Sequence, residues 1–103
     1  GLSSCDFDAM NQADWVKRGY DYFRINWAGG RIGHCLGWGA CSSEPPHIAS
    51  YDMTVIRPGM AFTIEPGINT EYGCYQAETD LVVTEDGCEV LNEMSRELRV
   101  IPC

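Results

Sequence analysis

Glycine and proline divide most of this chain into short segments, and that spacing limits the possible folds more than any other feature. Five glycines fall between positions 28 and 39, followed by Pro45-Pro46 and by the turn signals Arg57-Pro58-Gly59 and Glu65-Pro66-Gly67. A helix does not continue through such positions, because proline removes a backbone donor and glycine is unfavourable inside a helix. Short, bent strands are therefore predicted over most of the length.

The amino-terminal part is the exception. Residues 6–18 contain no glycine or proline, Asp6 and Asp8 stand at the start as candidate caps, and Gly19 follows the end. These features predict one helix. Its apolar residues recur every three positions, which predicts a buried face made of Phe7, Met10, Ala13 and Val16.

Further along the chain, a short apolar run predicts a strand over residues 60–64, and further strands are predicted over residues 74–84, 88–91 and 99–101. Asp86-Gly87 predicts a hairpin turn between the second and third of these strands. The segment from Ser43 to His47 is predicted to be a loop, because it contains two consecutive prolines. One helix followed by antiparallel strands gives an α+β fold class.

Composition excludes several classes of function. Among 103 residues, 15 acids oppose 7 bases, and the resulting formal charge of −8 repels nucleic acids and anionic membranes. The sequence shows neither an apolar stretch of the roughly 20 residues needed to span a bilayer nor a basic, then apolar, export signal. Six cysteines lack any CxxC pair, which disfavours a zinc ribbon. Reduced thiols in a cytoplasmic protein are predicted, with one or more disulfides as the alternative.

Three side chains have the chemistry to bind a hard divalent metal ion: His34, Glu65 and Glu78. Glu65 directly follows an apolar strand, where burying an unpaired charge costs on the order of several kcal/mol, so a compensating partner is expected. Two divalent cations bridged by carboxylates would neutralise such charges and acidify water for attack on a carbonyl. Each residue taken alone also fits a structural role, as a hydrogen-bonded histidine or an ion-paired carboxylate.

Four successive motifs resemble the signatures of the pita-bread metallopeptidases, the group of creatinase, prolidase, Xaa-Pro aminopeptidase and methionine aminopeptidase. The resemblance runs from about residue 20 to residue 98. Single pieces of it are weak, but their order and spacing are specific. In chain order, the motifs are Gly33-His34-Cys35-Leu36-Gly37, then Glu44-Pro45-Pro46-His47-Ile48, then the segment 57–68 with Ile64-Glu65-Pro66-Gly67, and then the segment 78–87 that opens with Glu78-Thr79-Asp80.

This resemblance implies part of the pita-bread fold, a curved antiparallel sheet with one flanking helix. It also implies two divalent ions (Mn, Co, Zn or Fe) bound by two aspartates, one histidine and two glutamates. By position, His34 corresponds to the histidine ligand, Glu65 to a ligand that also relays a proton, and Glu78 to the bridging glutamate. The two aspartates, expected on an upstream hairpin, have no counterpart here. Residues 1–103 are therefore predicted to be the carboxyl-terminal part of one catalytic domain whose amino-terminal half is absent, or a relic unable to hold two metals.

Some positions depart from the family pattern. Gly30 and Ser43 stand where histidines that position substrate and move protons are usual, and Gln76 stands where arginine is common. His47 is the candidate acid or base that could replace the missing imidazoles.

Three functions follow from the resemblance. The leading one is that the complete protein is a metallopeptidase of the Xaa-Pro peptidase type, which acts on peptides and forms a homodimer. The isolated chain is predicted to be inactive. A creatinase-like hydrolase or lyase acting on a small molecule is the first alternative. A metal-free module that binds peptide or protein is the second.

Overall fold

The computed structural model describes residues 1–20, 30–37, 44–97 and 99–102. Within these residues it has one helix and seven strands, which agrees with the predicted α+β class. In chain order they are α1 (Ser4–Lys17), β1 (Arg31–His34), β2 (His47–Ala49), β3 (Ala61–Ile64), β4 (Gly67–Thr70), β5 (Gly73–Gln76), β6 (Thr79–Val83) and β7 (Cys88–Val90). No helix in the described residues is long and apolar enough to cross a membrane.

Helix α1 begins two residues earlier than predicted, and its cap is Ser3 rather than an aspartate. The Ser3 hydroxyl accepts from the Asp6 N–H while the Asp6 carboxylate accepts from the Ser3 N–H, which together form a capping box. The predicted apolar face is wrong at three of its four positions, because Met10 and Val16 are 57% and 54% exposed and Ala13 is exposed as well. Ser4 and Asp8 are the buried residues of the helix. Its first turn is held by backbone hydrogen bonds to residues 52 and 54, so polar contacts and not an apolar stripe fix this helix.

The strands pair in three antiparallel groups, β1 with β2, β3 with β6 and β7, and β4 with β5. Strand β1 also lies along the free edge of β3, where Cys35 and Phe62 form an isolated antiparallel bridge. The Glu65 N–H donates to the Ile32 carbonyl at 2.7 Å, and the Leu36 N–H donates to the Ala61 carbonyl at 2.8 Å. The strands therefore follow one another across the molecule in the order β2, β1, β3, β6 and β7.

A small apolar core lies on one side of these strands. Ile32, Ile48 and Phe62 are buried at its centre. The partly buried hydrophobic residues around them come from the helix, from the segment before β3 and from the central strands; they are Phe7, Cys35, Ile56, Met60, Ile64, Leu81 and Val83. Successive side chains of a strand point to opposite faces, so the apolar residues of β3 and β6 lie on this side and their polar residues on the other.

Several strand boundaries differ from the predicted ones. The predicted strand over 74–84 is two strands, β5 and β6, which separate at Ala77-Glu78, and the unpredicted β4 pairs with β5. His47 is the first residue of β2 rather than part of a loop. The hairpin turn at Asp86-Gly87 is confirmed by the pairing of β6 with β7. The predicted strand over 99–101 is wrong, since these residues form no strand.

Candidate metal centre

Close approach of two strands brings the candidate site together. A Cβ atom built on Gly33 would lie 2.0 Å from the Thr63 carbonyl oxygen, far inside van der Waals contact. Only glycine therefore allows β1 to lie this near to β3. The next residue of β1, His34, is consequently held beside the carboxyl end of β3, where Glu65 follows.

The His34 imidazole is buried and its orientation is fixed. The residue is 6% exposed, and its backbone N–H donates to Thr63 Oγ1 at 3.2 Å. Its ring Nδ1 lies 3.0 Å from the Cys35 carbonyl oxygen. A carbonyl oxygen only accepts hydrogen bonds, so Nδ1 must carry the proton and donate it. The other ring nitrogen, Nε2, then has a free lone pair in the neutral ring, the form in which histidine binds metals.

The Glu65 carboxylate faces that lone pair. Glu65 Oε1 lies 3.3 Å from His34 Nε2 and also 3.3 Å from Thr63 Oγ1. The second oxygen, Oε2, accepts from the Gln76 side-chain amide at 3.0 Å. Both groups are largely shielded from water, with His34 and Glu65 side chains 8% and 18% exposed.

Two acceptors this close need a positive charge between or on them. A neutral imidazole lone pair and a carboxylate oxygen repel, so the arrangement requires either a proton on one of the two atoms or a cation shared by both. An imidazole nitrogen and a carboxylate oxygen are both usual ligands of divalent transition metals. The donor set of His34 and Glu65 therefore fits a metal ion.

Glu78 lies directly across the sheet from Glu65. Ile64 faces Thr79 and Gly67 faces Gln76, and the same register continues between these two pairs, which sets Glu65 opposite Glu78. Glu78 is exposed, and its backbone carbonyl accepts from the Asn92 side chain. Within the described residues, no three His, Cys, Asp or Glu side chains gather closely enough to hold one ion.

His47 is the cross-strand partner of His34 in the pairing of β1 with β2. Its backbone N–H donates to Asp52 Oδ2 at 2.7 Å, and its ring packs edge to face against Tyr51 with centroids 6.0 Å apart. Burial of Asp52 opposes its ionisation, but hydrogen bonds from His47 and Thr54 outweigh burial and lower the pKa of the Asp52 carboxyl. The turn after β2 thus fixes the backbone of His47 next to the candidate centre.

Two residues beside the centre were not singled out by the sequence. Thr63 links His34 to Glu65 through its hydroxyl. Asp80 is paired with Thr63 across β3 and β6, and its Oδ1 is buried with no hydrogen-bond partner in the described residues. Both lie two positions from a predicted ligand in a strand, and this period-two spacing, which places them on the same face, is the signal that could have found them.

Of the positions that depart from the family pattern, Gly30 lies within the described residues and Ser43 does not. Gly30 has a left-handed backbone (φ 85°), a conformation that a histidine would rarely adopt.

Cys5, Cys35, Cys74 and Cys88 are free thiols, as predicted, while Cys41 and Cys103 lie outside the described residues.

Comparison with known proteins decides the family. The profile of "Metallopeptidase family M24" matches residues 1–85. The chain belongs to metallopeptidase family M24. An Xaa-Pro dipeptidase from Pyrococcus furiosus is 35% identical over 100 residues, which cover 95% of this chain and 27% of that protein.

Solved structures of family members support the fold. The chain is similar to an Xaa-Pro dipeptidase from Bacillus anthracis, with a TM-score of 0.80 and 33% identity over 98% of this chain and 27% of that one. It is also similar to an X-Pro aminopeptidase from Thermotoga maritima, with a TM-score of 0.79, 27% identity and the same coverage of both chains. These matches confirm the partial pita-bread fold. The M24 chain spans about a quarter of the length of these relatives.

Proposed function

We propose that this M24 chain is the carboxyl-terminal part of a longer, metal-dependent cytoplasmic peptidase that cleaves Xaa-Pro dipeptides. The observation that carries the proposal is the 3.3 Å approach of His34 Nε2 to Glu65 Oε1, while Nδ1 is committed to a carbonyl oxygen. The relatives named as Xaa-Pro dipeptidases support the substrate class. The free thiols support the reducing compartment.

The proposed ligands from this chain are His34, Glu65 and Glu78, and the remaining ligands would come from the upstream polypeptide. A pair of divalent ions (Mn, Co, Zn or Fe), when bound, supplies the Lewis acidity that polarises a scissile carbonyl and acidifies water. Glu65 would be the residue that accepts a proton from the attacking water and returns it to the leaving nitrogen, since its oxygens lie at the centre and are held by the neutral donors Thr63 and Gln76. The bridging position of Glu78 is supported by its register opposite Glu65.

His47 is proposed as the acid or base that serves where Gly30 and Ser43 offer no imidazole. Its position opposite His34 supports this role, because cross-strand partners share one face of the sheet. The hydrogen bond from the His47 backbone N–H to Asp52 keeps the start of β2 in place.

The test uses the complete protein, meaning this chain joined to the polypeptide encoded upstream of it. Metal-free protein is reconstituted with Mn²⁺, Co²⁺, Zn²⁺ or Fe²⁺, and the hydrolysis of Xaa-Pro dipeptides is measured. Glu65→Gln is expected to lower kcat by at least about 100-fold, because it removes the proton acceptor. The matched control is Glu71→Gln, at an exposed turn residue, which should leave kcat unchanged. Metal-loaded protein that leaves every Xaa-Pro dipeptide intact overturns the proposal.

A creatinase-like reaction on a small amidine or cyclic amine is the second candidate. It is favoured by Gly30, which has a left-handed backbone and no side chain. Proline-specific peptidases usually have a histidine at this position. The same reconstituted protein should then turn over such small molecules and not dipeptides. Dipeptide hydrolysis with no small-molecule turnover decides for the peptidase.

A further inference from the structure

We propose that Gln76 is a positioning residue of the metal centre, which holds the Glu65 carboxylate in the orientation that presents one oxygen to the cation shared with His34. This inference rests on the proposed role of His34 and Glu65 as metal ligands. It concerns how this particular chain prepares a ligand, and it involves a residue that departs from the pattern of its family.

The two oxygens of Glu65 have different partners. Oε2 accepts from Gln76 Nε2 at 3.0 Å, and this is the shorter of the two side-chain hydrogen bonds to the carboxylate. Oε1 receives the Thr63 hydroxyl at 3.3 Å and faces His34 Nε2. With Oε2 engaged on one side and Oε1 on the other, the plane of the carboxylate is fixed. The lone pairs that remain on Oε1 are directed to where His34 offers its own.

Gln76 reaches Glu65 because the β4–β5 hairpin continues the register of β3 and β6. Gln76 pairs with Gly67, two residues beyond Glu65, so its side chain lies diagonally across from the carboxylate on the same face. It is the last residue of β5 and is exposed to solvent. A change at this position therefore alters the hydrogen bond to Glu65 without opening the core.

The chemistry of an amide suits this task. Gln76 donates a hydrogen bond but adds no charge, so it orients the carboxylate without competing with a cation for its negative charge. Outer partners of metal ligands commonly change metal affinity or activity by about 10- to 100-fold when they are removed. An arginine, usual here in the family, keeps a donor, whereas a methionine of similar length keeps none.

The experiment compares Gln76→Met and Gln76→Arg in the complete protein. Mn²⁺ binding to metal-free protein is measured by titration calorimetry, and Co²⁺ loading is followed by its visible absorption, which reports ligand geometry. Gln76→Met is expected to weaken Mn²⁺ binding by about 10-fold or more and to alter the Co²⁺ spectrum. Gln76→Arg should bind Mn²⁺ more tightly than Gln76→Met, because it retains a donor, and less tightly than wild type, because its charge competes with the cation for the Glu65 carboxylate. Asn69→Leu, which makes a similar amide-to-apolar change at an exposed residue of the same hairpin, is the control and should bind as wild type.

The outcomes separate this inference from the proposed function. Wild-type protein that takes up no Mn²⁺ overturns the proposed function, and the inference with it, before any variant is compared. Wild-type protein that binds Mn²⁺ while Gln76→Met binds equally well overturns the inference alone. Equal losses in Gln76→Met and Asn69→Leu also overturn it, because the hairpin and not the amide would then be responsible. Thermal unfolding of the metal-free variants should stay close to that of wild type, because Gln76 is exposed and water can replace its amide at Oε2, whereas a purely structural role for Gln76 would lower the unfolding temperature.

Discussion

Replacing Thr63 with valine removes the hydroxyl that joins the two halves of the candidate centre. Thr63 is 2% exposed, and its Oγ1 accepts from the His34 N–H at 3.2 Å. The same oxygen lies 3.3 Å from Glu65 Oε1 and donates its hydrogen there. Valine keeps the shape of the side chain and its strand preference but can neither accept nor donate.

The expected cost has two parts. The His34 N–H remains buried without its acceptor, which costs about 1–3 kcal/mol. The hydrogen bond to the charged Glu65 carboxylate is also lost, and bonds of that kind contribute about 1.5–3 kcal/mol. Because 3.3 Å is long for a hydroxyl donor, the second part falls at the low end of its range. The free energy of unfolding should therefore fall by about 2.5–4.5 kcal/mol.

The assay is urea unfolding of the metal-free complete protein, followed by Mn²⁺ titration of each variant. Thr63→Ser is the matched control, since serine keeps the hydroxyl and loses one methyl group. Its free energy of unfolding should fall by only about 1 kcal/mol, the cost of one buried methyl. A valine variant within about 0.5 kcal/mol of wild type, or a serine variant as unstable as the valine one, would refute the role of the Thr63 hydroxyl as the link between His34 and Glu65.

Three further outcomes are expected. Gly33→Ala should destabilise the protein by about 3 kcal/mol or more in thermal unfolding, because its Cβ would lie 2.0 Å from the Thr63 carbonyl; a stable variant would show that β1 can move away from β3. Asp8→Asn should raise the free energy of unfolding at pH 7, because burial raises the pKa of Asp8 against the hydrogen bond from Gln12 and so disfavours the charged carboxylate. The stability that Asp8 contributes is fully present below its unfolded pKa near 3.8 and is lost as pH rises through the raised folded value, so a gain that persists at pH 3 would contradict this reasoning. The isolated 103-residue chain should show no Xaa-Pro dipeptide turnover, and robust turnover by it would refute the need for upstream ligands.

Strand positions were predicted well where glycine and proline mark turns, and poorly where only the pairing of strands sets the boundary. Pro58-Gly59 and Asp86-Gly87 bracket strands that the structure contains, because these residues impose turn geometry locally. The break between β5 and β6 was missed. The segment from residue 74 to residue 84 contains no glycine or proline, and only pairing with two successive partners, β4 and β3, divides it. Long-range pairing of that kind leaves no local signal.

The face of helix α1 was predicted wrongly for a related reason. Spacing by three favoured Met10 and Val16, yet both are exposed while Asp8 is buried. The first turn of the helix is held by hydrogen bonds from Ser4 and Cys5 to backbone carbonyls of residues 52 and 54. These contacts set the rotation of the helix about its axis, and they outweigh a weak apolar periodicity.

For the candidate centre, His34 and Glu65 could be named from motifs, but their supporting contacts could not. The Glu65 carboxylate accepts hydrogen bonds from Thr63, two positions before it, and from Gln76, eleven positions after it. The first is a consequence of strand periodicity and the second of hairpin register. Which hydroxyl or amide reaches a carboxylate depends on both, so these partners appear only once the strands are paired.

Pro66 interrupts the backbone ladder at the point of the sheet where Glu65 and Glu78 come opposite each other in register. The regular pairing of β3 with β6 ends at Ile64 and Thr79, and that of β4 with β5 begins at Gly67 and Gln76. Proline has no N–H to donate, and the hydrogen bond from the Ala77 N–H to the Pro66 carbonyl is long, at 3.5 Å. The ladder is therefore weak beside these two glutamates, and like charges opposite each other in a sheet are destabilising. In the metal centre proposed above, a bound divalent cation would offset that repulsion and so stabilise the complete protein.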